Sequence, residues 1–79
     1  MKTPLENKWV LITGASSGFG AAAVIAFGAR SAKLLLGARR VDRLKKVAAE
    51  SLKVGAPEAQ YHFLDVAKTE SVEEFISWV

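Results

Sequence analysis

The sequence predicts an α/β fold of element order βαβαβα: a parallel three-stranded sheet with helices on both faces. Three features lead to that expectation. Short β-rich runs recur three times, the first two without the polar alternation of a half-exposed strand. A helix-compatible stretch separates each run from the next, long enough for the crossover that two parallel strands require. Glycine or proline breaks stand at several of the joints, so the chain reads as short units rather than one long helix.

The first strand is expected at "WVLIT", Trp9–Thr13, covered on both faces. Glycines then break the chain, and an Ala-rich helix follows over about residues 19–30 with no charge before Arg30. A helix apolar all round is expected to be covered on more than one side. "KLLLGA", Lys33–Ala38, is the second buried strand. Over 42–54, Leu44, Val47, Ala48, Ser51 and Leu52 recur near a 3.6-residue period, with Lys45, Lys46, Glu50 and Lys53 on the other side. Gly55 and Pro57 supply the stop of this amphipathic helix. "QYHFLDV", 60–66, is the third strand. Ser71 and Glu74 have capping-box spacing at the start of a last helix, with Thr69 an alternative cap.

At 79 residues the chain forms one unit with no internal repeat or linker. Its composition, 51% hydrophobic and 24% charged, is that of a folded protein. Cysteine is absent, which excludes disulfides and thiolate metal sites, and His62 stands alone. The net charge of +3 favours an anionic partner. Arg39, Arg40, Arg43, Lys45 and Lys46 concentrate the positive charge, whereas Glu70, Glu73 and Glu74 make the end acidic. The basic cluster reads as a solvated helix face; with no aromatic residue interleaved, nucleic acid is not an expected partner. Pro4, Glu6 and Asn7 interrupt any apolar leader, and the apolar stretch at 21–29 falls well short of the ~20 residues that span a bilayer. A soluble, cytoplasmic protein without a membrane partner is expected.

"TGASSGFG", 13–20, carries the chemistry. Three glycines follow a strand and open a helix. Gly14 allows the tight turn, Gly18 lets the backbone approach a pyrophosphate, and Gly20 lets the helix pack close to the sheet. The anion would meet free N–H groups and the positive end of the helix dipole. After the second strand, a site for NAD usually carries an acid that holds the ribose 2′-hydroxyl. Here Arg39 and Arg40 occupy that place, and no acid occurs before Asp42. A 2′-phosphate would meet no repulsion and could be held by a planar guanidinium. NADP is therefore expected, with NAD less favoured.

The spacing Gly-x-x-x-Gly-x-Gly, with "LLLGARR" and "FLDV" in order behind it, resembles the short-chain dehydrogenases/reductases, NAD(P)-dependent oxidoreductases of Rossmann fold. The resemblance runs from about residue 8 to residue 75. It implies that Gly14, Ser16, Ser17, Gly18, Phe19 and Gly20 surround the cofactor, with Ser16 and Ser17 near the 2′-phosphate. It also implies that Asp65 and Val66 contact the adenine. Members often carry glycine where Ser31 stands, at a left-handed helix cap that serine adopts less readily.

In a doubly wound sheet of this type the usual strand order is 3-2-1-4, with a fourth strand beyond the first. Residues 1–79 would then be the amino-terminal NADP-binding part of an incomplete doubly wound fold. The family's catalytic serine, Tyr-x-x-x-Lys pair and Asn-Asn-Ala-Gly segment do not occur here; Tyr61 is followed four residues on by Asp65. Hydride transfer between NADP(H) and a carbonyl or alcohol needs such an acid/base, so the chain alone is expected to be inactive. An uncovered sheet edge invites self-association or a complementing carboxy-terminal half. The alternatives are a stand-alone nucleotide-binding or regulatory module and a basic nucleic-acid binder.

Overall fold

The computed structural model describes residues 5–79; Pro4, invoked against a leader, lies outside the described residues. The expected order is observed as β1 (Trp9–Thr13), α1 (Gly18–Ala29), β2 (Lys33–Ala38), α2 (Val41–Val54), β3 (Ala59–Phe63) and α3 (Thr69–Trp78). The strands are parallel in the order β1-β2-β3, with Thr13 beside Gly37 and Gly37 beside His62. This is the 3-2-1 portion of the expected arrangement, and β1 ends the described sheet.

Residues paired in register share a face. Val10, Ile12, Leu34, Leu36, Ala38 and Tyr61 therefore lie on one side, where they pack with Val24 of α1 and Leu44, Val47 and Ala48 of α2. Leu34, Leu36, Leu44 and Val24 are fully buried there, each stabilising the fold by about 1.5–3 kcal/mol. On the opposite face, α3 lays the buried Phe75 over Gly37. A Cβ on Gly37 would come within 2.6 Å of the Phe75 ring, so this strand position must stay bare for the helix to dock. His62 joins the same cluster, 5.3 Å from the Trp78 ring and 6.2 Å from that of Phe75. That placement makes it a packing residue.

Several expectations need correction. β1 is not covered on both faces: Trp9 and Leu11 are about half exposed, because α3 packs over β3 rather than β1. Trp9 is consequently a surface residue beside Lys33, not a core aromatic. Helix α1 buries one stripe, Gly20, Val24 and Gly28, and leaves Phe19, Ala22, Ala26 and Ala29 exposed. Spacing of four residues puts that stripe on a single face, beside which Ala21 and Phe27 pack partly buried against the same core. At Gly28 a Cβ would stand 3.2 Å from Ser51, so the two helices approach through their smallest side chains. Leu52, expected in the α2 core face, is about half exposed.

Strand β3 is shorter than 60–66. Leu64 still donates its amide to the Ala38 carbonyl (2.9 Å), after which Asp65 turns the chain by accepting the Ala67 amide on Oδ1 (3.0 Å). Neither Ser71 nor Thr69 caps α3; Lys68 is the cap residue, without a side-chain bond. The Ser71 hydroxyl, buried within the first turn, accepts the Asp65 amide at 2.8 Å instead. A capping-box spacing is thus used as a tether between α3 and the loop that precedes it.

The left-handed cap anticipated at Ser31 is present. Its φ is +64°, its amide donates to Gly28 (2.9 Å), and the Ala32 amide donates to Phe27 (3.2 Å). These two bonds close the end of α1 as a Schellman motif. Ser31 in turn accepts the Asn7 amide (2.8 Å), and Lys33 donates to Lys8 (2.8 Å), which aligns the entry of β1 with that of β2. Among the described residues no helix is long and apolar enough to cross a membrane.

Candidate functional site

The turn after β1 is held by its own backbone. Gly14 has φ +64°, a left-handed conformation suited to glycine. Its carbonyl accepts both the Ser17 amide (3.1 Å) and the Ser17 hydroxyl (2.8 Å). The same hydroxyl accepts the Gly20 amide at 3.2 Å, making Ser17 the N-cap of α1. The Ala15 amide donates to the Gly37 carbonyl (3.3 Å) and fastens the turn to β2.

Each glycine has a distinct duty, one of them different from expectation. A Cβ on Gly18 would meet nothing, so that side of the backbone is open to an approaching group. A Cβ on Gly20 would overlap the Gly14 carbonyl: Gly20 permits close packing of helix against turn, rather than helix against sheet. The first bond within α1 runs from the Ala21 amide to the Ser17 carbonyl. The amides of Gly18 and Phe19 therefore have no partner inside the helix, and no carboxylate stands in the first turn. This end of α1 is suited to an anion.

A cavity of about 700 Å³ lies beyond the carboxyl ends of the three strands. Parallel register makes all three strands end on the same side, so the loops that follow them converge. The first loop contributes Gly14, Ser16 and Ser17; the second contributes Arg39 and Arg40; the third contributes Asp65 and Val66. Seven of the ten expected site residues are thereby brought to one cavity. Gly20 supports it from a buried position, and Gly18 and Phe19 stand at the start of α1, Phe19 being 91% exposed.

Arg43, in the first turn of α2, also lines the cavity, together with Ala38, Leu64 and Ala67. Its spacing from Arg39 and Arg40, four and three residues, was the available signal; the sequence reading assigned it to a solvated face. Three guanidiniums therefore border one cavity. Among the described residues none of them has a hydrogen-bond or ion-pair partner. Asp65 commits Oδ1 to the Ala67 amide, and its own amide is held by Ser71. Val66 presents an apolar side chain that is 74% exposed. The arrangement offers amides and cations for anions, and a carboxylate beside an apolar surface for a polar ring.

The model of the short chain dehydrogenase family matches residues 8–79. An uncharacterized oxidoreductase of Listeria innocua is 40% identical over 72 residues, covering 91% of this chain and 29% of the relative. Among solved structures, the alcohol dehydrogenase of the archaeon Thermococcus sibiricus complexed with 5-hydroxy-NADP is 50% identical, with a TM-score of 0.85. The match covers 92% of this chain and 31% of that one. L-Sorbose reductase from Gluconobacter frateurii, complexed with NADPH and L-sorbose, is 35% identical with a TM-score of 0.87. It matches 100% of this chain over 30% of its own. The chain spans about three tenths of the length of each.

Proposed function

The chain belongs to the short-chain dehydrogenase family, and from that premise we propose that it is the NADP(H)-binding portion of a short-chain oxidoreductase. The single observation behind the proposal is the convergence on one cavity of the glycine turn and three guanidiniums that have no partner among the described residues, with no acid directly after β2. The residues fit such a cofactor. The open side of Gly18 and the free amides of α1 suit the pyrophosphate, and Arg39 and Arg40 suit a 2′-phosphate. Ser16, which lines the same cavity, adds a hydroxyl. The spare carboxylate oxygen of Asp65 and the exposed Val66 suit the adenine. The 5-hydroxy-NADP and NADPH complexes of the similar dehydrogenase and reductase support NADP over NAD.

When bound, the cofactor supplies hydride for exchange with a carbonyl or alcohol. The residues of this chain bind and orient it. They do not handle the substrate proton: Tyr61 packs against the core under α2, and no Tyr-x-x-x-Lys pair occurs within these 79 residues. The chain alone is therefore expected to bind without turnover. The exposed Trp9 and Leu11 support its association with a complementing segment or a second copy.

Calorimetric titration with NADPH and NADH tests the proposal. Changing Arg39→Asp together with Arg40→Ala is expected to weaken NADPH by roughly 100-fold, at about 1.5 kcal/mol for each charge-assisted bond, and NADH by far less. Equal losses for the two cofactors would refute the assignment.

A further inference from the structure

Leu64, Asp65, Val66 and Ala67, in the loop after β3, line the cavity in succession. The Asp65 carbonyl accepts the Lys68 amide (3.0 Å) and its Oδ1 accepts the Ala67 amide (3.0 Å), so residues 65–68 form one tight turn. Such a turn fixes its own shape but not its direction relative to the sheet. Bonds to other elements set that direction. The Leu64 amide, just before the turn, donates to Ala38 (2.9 Å), and the Asp65 amide donates to the Ser71 hydroxyl of α3 (2.8 Å). Ser71 is buried, does not line the cavity, and stands one helical turn before Phe75, which is seated over Gly37. Phe75 docks this face of α3, and Ser71 carries the docked position to the loop. A serine in the first turn of a helix commonly bonds backbone of its own turn; this bond leaves the helix for a residue of the cavity. With its amide, carbonyl and Oδ1 committed, Asp65 keeps Oδ2 as its one polar atom without a partner among the described residues.

We propose that Ser71 is a positioning residue for recognition of the cofactor's purine base. From α3, outside the cavity, it holds the turn in the orientation that presents Asp65 Oδ2 and Val66 to the adenine. The inference rests on the reading of this cavity as the NADP(H) site, with the third loop at the adenine. The 6-amino group of adenine donates to a carboxylate oxygen; hypoxanthine carries a carbonyl there, an acceptor that a carboxylate repels. Telling the two bases apart requires Oδ2 at hydrogen-bond distance and in line. Without the Ser71 hydroxyl the turn is free to swing on its ends, and the discrimination is lost. The glycine turn and the loop after β2 make no bond to Ser71, so what they hold is unaffected.

The test is calorimetric titration of the chain and its Ser71→Ala variant with NADPH and with the reduced hypoxanthine analogue of NADP. The parent is expected to bind NADPH about 10-fold more tightly than the analogue, equivalent to about 1.4 kcal/mol. In Ser71→Ala the affinity for NADPH should fall about 5-fold and that for the analogue stay within about twofold, so the preference nearly disappears. A general loss of stability lowers both affinities by the same factor and leaves their ratio unchanged. Equal losses, or a preference kept in full, therefore overturn the role of Ser71 and leave the cofactor reading in place. Asp65→Asn keeps an acceptor for the Ala67 amide and should remove the preference with Ser71 intact; a preference that survives it also overturns the proposal. If the alanine variant does not melt cooperatively, Ser71→Cys replaces it, nearly the same in shape but with a sulfur that accepts weakly. Its preference should fall below that of the parent, and equality overturns the proposal. A parent that binds both ligands equally removes the adenine contact while the phosphate contacts stand. A parent that binds neither brings down both readings.

Discussion

Replacing Ser31 with glycine should stabilise the protein. Ser31 holds φ at +64° to close α1, and all the bonds it makes there are backbone bonds: its amide to Gly28 and its carbonyl to Asn7. A non-glycine residue in the left-handed region costs about 1–2 kcal/mol. Glycine removes that strain and keeps every backbone bond. Against this, glycine loses more freedom on folding, which costs about 0.5–1 kcal/mol. The difference favours the variant by roughly 0.5–1 kcal/mol. In a domain of this size that corresponds to a rise in melting temperature of about 2–8 °C. Ser31→Ala is the control, because it loses the hydroxyl and keeps the strain. Thermal and denaturant melts followed by circular dichroism would decide the matter. A glycine variant melting at or below both parent and alanine variant would refute the reasoning, and with it the assignment of strain to this cap.

Two further substitutions test how the site is held. Gly20→Ala drives a Cβ into the Gly14 carbonyl, backbone against backbone. It should cost about 3 kcal/mol and abolish NADPH binding, and a parent-like denaturant midpoint would show that helix and turn are not in contact. Ser71→Ala leaves the Asp65 amide without its acceptor and should cost about 1–3 kcal/mol. Amide exchange at Asp65 should quicken more than at Leu64, whose bond to Ala38 is retained; equal rates in parent and variant would count against the tether.

Local chemistry was legible from the residues alone. "WVLIT" and "KLLLGA" end where their strands end, because β-rich composition and the following breaks act within a few residues. The left-handed cap at Ser31 was expected only from the family resemblance, whereas the glycine turn and the amphipathic face of α2 are local in the same sense. So are the landmarks after the second and third strands, which identify the family. Faces and partners were less legible, since they depend on which distant elements lie alongside. Nothing near Trp9 or Leu11 in the chain says that α3 will cover β3 and leave β1 open.

The same division holds for the site. From the sequence by itself follow the glycine turn at Gly14, Gly18 and Gly20 and the basic position after β2, for each is a statement about one turn of chain. Only the tertiary structure decided that Ser17 is spent on capping α1, that Ser71 holds Asp65 from another element, and that Arg43 joins Arg39 and Arg40 at the cavity. Parallel register and the crossover helices bring those groups together. That convergence is set by packing across the sheet, which no short stretch of residues encodes.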